Sequence, residues 1–143
     1  MRRLADPFVA VWFGAFFLCA VLCTHFDDLV AMPLHVVNDI AAGILLIAGG
    51  IAGRSDRVEG RPYQAAAWAF ITSLLFGSVI GNFEEWTSHA AEAGGVTGGV
   101  TGLLSIPQGP YLAIVAALFL FSCLGLAGSL AANHNPSGIS RPK

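Results

Sequence analysis

Charge is what this chain has least of. Only 11% of its 143 residues are Asp, Glu, Lys or Arg, and 55% are hydrophobic. Soluble domains usually carry about a quarter charged residues. With a mean hydropathy of +0.70, too little polar surface remains to keep the chain dispersed in water, which excludes an ordinary soluble enzyme. Cysteine is also sparse, and Cys19, Cys23 and Cys123 all fall inside apolar runs. No Cys-x-x-Cys, His-x-His or His-Glu-x-x-His spacing occurs, which removes the common zinc and thiol-redox motifs. Basic side chains number seven, and no nucleic-acid partner is expected.

What the chain does have is four long apolar stretches, at about 8–26, 36–53, 63–83 and 111–132. Each approaches the roughly 20 residues that cross a bilayer core as a helix. Lipid offers the backbone no hydrogen bonds, so such segments must satisfy their N–H and C=O groups internally. The expected fold class is therefore all-α: a polytopic membrane protein with a four-transmembrane-helix bundle over 1–132 and a polar tail over 133–143. A cleavable signal peptide is the competing reading of the first stretch, given Arg2 and Arg3 ahead of it. No Ala-x-Ala site follows and Asp6 sits badly in a signal's basic region, so the stretch is read as a span.

All seven Lys and Arg (Arg2, Arg3, Arg54, Arg57, Arg61, Arg141 and Lys143) fall in the N-terminal segment, the connection between spans two and three, or the tail. With four spans these segments share one side, which the positive-inside rule makes cytoplasmic. Both termini are expected there, in a cell (inner) membrane. The formal charge of -2 then divides into +4 on the cytoplasmic side and -6 on the outer side.

Helices in lipid associate through close packing at small residues. Ala65, Ala69, Ser73, Gly77 and Gly81 recur every four residues in the third stretch and are expected to receive a neighbouring helix. Gly49 and Gly53 in the second stretch, Ala15, Cys19 and Cys23 in the first, and Gly125 and Ser129 in the fourth share that spacing. Cysteine in such a setting reads as a small apolar packing residue.

A repeat of two helical hairpins is also suggested. At an offset of 57, His25-Phe26-Asp27-Asp28 lies over Asn82-Phe83-Glu84-Glu85 and Phe13 over Phe70. At an offset of 79, Ile47-Ala48-Gly49-Gly50-Ile51-Ala52 lies over Leu126-Ala127-Gly128-Ser129-Leu130-Ala131. The stretch Val37-Asn38-Asp39-Ile40-Ala41-Ala42-Gly43-Ile44-Leu45-Leu46 resembles the second helix of the SPW-repeat family, small bacterial integral membrane proteins built from two hairpin repeats. The Ser-Pro-Trp tripeptide that names that family does not occur in this chain. The resemblance implies a membrane architecture and no particular chemistry.

The outer side is acidic and bears histidine. His35 with Asp39, and Glu85 with His89, stand one helical turn apart and can meet on one face. With His25 they form a set that suits a transition metal, the carboxylates orienting the imidazoles. The alternative is a solvated acidic rim at the helix ends. Asp39 stands out because it lies about one turn, or roughly 5 Å, inside the second span. An ionisable residue there serves an ion, proton or ligand, or else a structural hydrogen bond. The glycine-rich 94–102 lacks a phosphate-binding ending and reads as a flexible connection. The third helix is expected to run on past 83, since 83–93 contains no Gly or Pro. Trp12, Trp68, Tyr63 and Tyr111 are expected near span ends as interfacial anchors.

Two functions follow. One is a small integral membrane protein that acts by helix association, as a homo-oligomer or an accessory subunit of a membrane partner, with no catalysis and no cofactor. The other is an ion- or metal-binding or transport protein that uses the outer acidic, histidine-bearing face. Alanine at Asp39 and the metal content of the purified protein separate them.

Overall fold

A computed structural model describes residues 6–25, 33–54, 60–93, 99–100 and 106–134. The chain is all-helical in its spans, with α1 (Pro7–Thr24), α2 (Pro33–Arg54), α3 (Gly60–Ala93) and α4 (Gln108–His134). Each is long and apolar enough to cross a membrane, so the protein is a multi-pass four-helix bundle. A two-residue antiparallel pair, β1 (Gly99–Val100) with β2 (Ile106–Pro107), precedes α4. The end of the glycine-rich segment is thus tied back on the residues that follow it.

The helices begin where local chemistry starts them. Asp6 caps α1, its carboxylate accepting from the Phe8 N–H at 3.0 Å with Pro7 in the first turn, where a missing N–H costs nothing. That role accounts for an acidic residue so close to the apolar run. α3 is the longest element at 34 residues, about 51 Å at 1.5 Å per residue, and runs to Ala93 as the absence of Gly and Pro led us to expect.

Helices α1, α2, α3 and α4 pack in chain order, each on the next, whereas α1 and α4 touch only narrowly. One end gathers Pro7, Arg54, Gly60 and the close of α4; the other gathers His25, the start of α2, Asn82 and Tyr111. At the first end Arg61 donates from Nη1 to the Ala132 carbonyl at 3.2 Å, which places a cation on the negative end of α4.

Glycine sets the closest approaches. A Cβ at Gly49 would stand 2.8 Å from the Ala67 Cβ, and Gly53 lies against the buried Gln64, so this face of α2 fits α3. A Cβ at Gly50 would stand 2.8 Å from the Pro7 carbonyl oxygen, and one at Gly14 would stand 2.9 Å from that of Gly43, so another face of α2 fits α1. On α4, a Cβ at Gly125 would stand 2.7 Å from the Trp68 ring.

Trp68 is fully buried at the centre rather than anchored at a span end, which corrects the interfacial expectation. Gly125 leaves room for its indole, and Phe13 and Phe121 pack beside it with ring centroids 5.4 and 6.3 Å away. Phe13 and Phe121 themselves stack at 5.0 Å and bridge α1 to α4. Tyr63 and Trp12 are exposed.

The small-residue stripe of α3 behaves differently from expectation. Ala65 is buried, but Ala69, Ser73, Gly77 and Gly81 are exposed, and a Cβ at Gly77 or Gly81 would meet nothing within 4 Å. A spacing of four overshoots the 3.6-residue turn and drifts about 40° per step. The stripe therefore spirals off the buried face after its first member, and beyond Ala65 it is no seam within this chain.

The offset of 79 aligns buried faces. Val36, Gly43, Leu46, Gly49 and Gly50 of α2 are buried, and so are Val115, Ser122, Gly125, Gly128 and Ser129, which stand 79 positions later in α4. The two hairpins thus present corresponding faces of their second helices to the core.

Candidate functional site

The bundle is not filled along its whole length. At the end away from the arginines, all four helices line one cavity of about 820 Å³, within the roughly 300–1,000 Å³ of small-molecule pockets. Its floor is apolar: Phe17 and Val21 from α1, Leu74 and Leu75 from α3, and Val115 and Leu118 from α4. Beyond that floor lies the layer of Phe13, Trp68 and Phe121.

Toward the mouth the lining turns polar. It includes Thr24 and His25 at the close of α1, Asn38 and Asp39 in the second turn of α2, Ser78 and Asn82 on α3, and Tyr111 on α4. Asp39 is half-buried and lies within electrostatic reach of Tyr111. The Asn82 amide donates to the Ser78 carbonyl at 2.7 Å and the Thr24 hydroxyl to the Ala20 carbonyl at 2.8 Å. These bonds absorb polar groups that would otherwise face lipid. Among the described residues the lining includes His25 and Asp39 and no Lys or Arg.

The offset of 57 that relates α1 to α3 recurs in this lining. Phe17, Ala20, Val21 and His25 line it from α1, and Leu74, Gly77, Ser78 and Asn82 line it from the corresponding positions of α3. Likewise Val36 and Asp39 correspond at 79 to Val115 and Leu118, which also line it. The cavity is the space enclosed where the two hairpins face each other.

Of the metal candidates, His25 and Asp39 come to the same cavity. Glu85 does not line it and is exposed on the part of α3 that runs past Asn82. The side chains of His35 and His89 lie outside the described residues. Among the described residues no three His, Cys, Asp or Glu side chains gather as a metal would require.

The thiols also differ from expectation. Cys19 and Cys23 are exposed and line the cavity, so they are wall residues and not packing residues; Cys123 is half-buried. Ser78, Asn82 and Tyr111 were missed as site residues. The signal that could have found the first two is their one-turn spacing inside an apolar span, together with the match of Asn82 to His25.

Comparisons with protein-family models, curated proteins and solved structures return no match for this chain.

Proposed function

We propose that this chain is a non-catalytic membrane protein that binds a small molecule in the cavity at the acidic end of its bundle. The observation that carries the reading is the cavity itself: an apolar floor under a rim of His25, Asp39, Asn82 and Tyr111. Concave, largely apolar sites with a few convergent polar groups are the usual form of ligand pockets. The positive-inside rule places Arg54 and Arg61 in the cytoplasm with both termini, so the mouth faces outward from a cell membrane. The aromatic layer of Phe13, Trp68 and Phe121 lies across the middle of the bundle, which favours binding over conduction.

Native mass spectrometry of the protein released from mild detergent tests this reading. The wild type retains a discrete non-covalent adduct. Ala20→Phe, which fills the cavity from α1, loses it, while Ala127→Phe on an exposed face of α4 keeps it. An adduct absent from the wild type, or equally present in Ala20→Phe, overturns the proposal.

A second reading is favoured by the exposure of Ala69, Ser73 and Gly81, none of which lines the cavity. Small residues turned outward allow a close approach by a helix of another chain, so association through α3, with a second copy or a membrane partner, accompanies ligand binding. The mass of the protein in detergent, compared between wild type and Gly81→Leu, tests it.

A further inference from the structure

The cavity has the depth of one membrane leaflet. From Phe17 to His25 on α1, and from Leu74 to Asn82 on α3, its lining runs from floor to rim, a rise of about 12 Å at 1.5 Å per residue. Half of a bilayer's hydrocarbon core is about 15 Å. The rim is polar, as suits the membrane surface, and the floor lies against the aromatic layer across the middle of the bundle. The cup therefore covers nearly the distance over which an acyl chain hangs from its head group.

Its wall is open to such chains. Phe16, Cys19 and Cys23 on α1 and Ile114 on α4 line the cavity and are exposed, within the membrane-spanning lengths of their helices. Helices α1 and α4 do not pack along each other, and the Phe13–Phe121 stack joins them. Past that stack, toward the rim, the gap between the two helices leads from the surrounding lipid into the cavity. Lining atoms beside a gap lack dispersion partners, and a hydrocarbon chain that enters restores them.

The rim does not choose a ligand by its charge. His25, Asp39 and Asn82 each already have an interaction partner, and the Thr24 hydroxyl is held by the Ala20 carbonyl. Polar groups satisfied in this way gain little from a ligand's head. What the cavity offers is its apolar floor.

We infer that the cavity holds one acyl chain of an outer-leaflet phospholipid, which enters sideways between α1 and α4 and lies along the cup with its head group level with the rim. The second chain stays in the bilayer. Because the gap stays open, the bound chain exchanges with the leaflet. This rests on the ligand-binding reading above and adds the ligand's class and route.

Photochemical labelling tests it. The full-length protein is placed in nanodiscs of phosphatidylcholine, a small fraction of which carries a diazirine in the middle of one acyl chain. After irradiation, peptide mass spectrometry locates the adducts. Leu75 and Val115 line the cavity but are buried from the outside, whereas Leu120 faces outward and lies off the cavity. The wild type carries adducts at all three. Ala20→Phe occupies the cup, and since a close-packed interior admits no second occupant, adducts at Leu75 and Val115 fall about tenfold or more while those at Leu120 persist. Moving the diazirine to the chain end shifts the adducts on α4 from the Tyr111 level toward Leu118, a readout that needs no variant should Ala20→Phe fail to fold.

Adducts confined to outward-facing residues such as Leu120, equal adducts at Leu75 and Val115 in wild type and Ala20→Phe, or adducts that do not move with the diazirine overturn the acyl-chain proposal. A short, water-soluble diazirine alcohol is run in parallel. If it labels Leu75 and Val115 where the lipid does not, the ligand arrives from water and the binding reading stands without this inference. If neither probe labels them, the binding reading falls as well.

Discussion

The two ends of the bundle are built from different residues and pack differently. At the arginine end, Gly49, Gly50 and Gly53 bring α2 within backbone reach of its neighbours, and Gly125 lies under the Trp68 ring. At the acidic end Gly77 and Gly81 on α3 and Gly109 on α4 meet nothing, and Val36, Leu74, Leu75, Val115 and Leu118 line a cavity between the helices. Because apolar burial alone does not drive helices together in lipid, the placement of glycine decides where a small membrane bundle closes. The same sequence thus makes a tight stem and an open cup.

Changes at the stem separate the two ends most sharply. Trp68→Ala removes the largest fully buried side chain and leaves a void at the crossing point, with an expected loss of about 3–5 kcal/mol. Thermal or denaturant unfolding in detergent measures it, and a loss below about 1 kcal/mol would mean that the aromatic layer does not hold the stem. Next is Gly125→Leu, which drives a side chain into the Trp68 ring. Overpacking of this kind costs about 1–3 kcal/mol, seen as a lower unfolding midpoint and a broadened size-exclusion peak.

A smaller effect is expected at Arg61→Ala, which removes the hydrogen bond to the Ala132 carbonyl. A net loss of about 0.5–1.5 kcal/mol is expected for one such bond, and it should leave thiol labelling at the cup unchanged. Smallest is Gly81→Leu, whose side chain enters open space outside the cavity. Its unfolding midpoint is expected within about 0.5 kcal/mol of the wild type, and any change should appear in oligomer mass instead. A large loss of monomer stability there would place α3 in a different rotation from the one described.

Much of the stem was legible in the sequence. The four spans and the continuation of α3 to Ala93 follow from apolar length and from the lack of Gly and Pro. The faces that meet at Gly49 and Gly53 follow from small-residue spacing. Trp68 was not legible, because aromatic residues near apolar boundaries ordinarily anchor to the interface, and only the space over Gly125 turns this one inward. Gly77 and Gly81 misled for a geometric reason: a repeat of four cannot stay on one side of a 3.6-residue helix. At the cup, Asp39 and His25 were visible as polar groups near span ends. The involvement of Cys19, Cys23 and Tyr111 depends on the separation of α1 from α4, a long-range property that no local pattern encodes.

The contrast between a closed stem and an open cup can be read directly from the three native cysteines. The wild-type protein in nanodiscs is exposed to a small, membrane-impermeant cationic methanethiosulfonate, and each thiol is quantified over time. Cys19 and Cys23 line the cup, whereas Cys123 is half-buried beyond it, so the first two should react at least about tenfold faster. Equal rates at all three thiols, or a wall that stays inert while Cys123 reacts, would contradict the account.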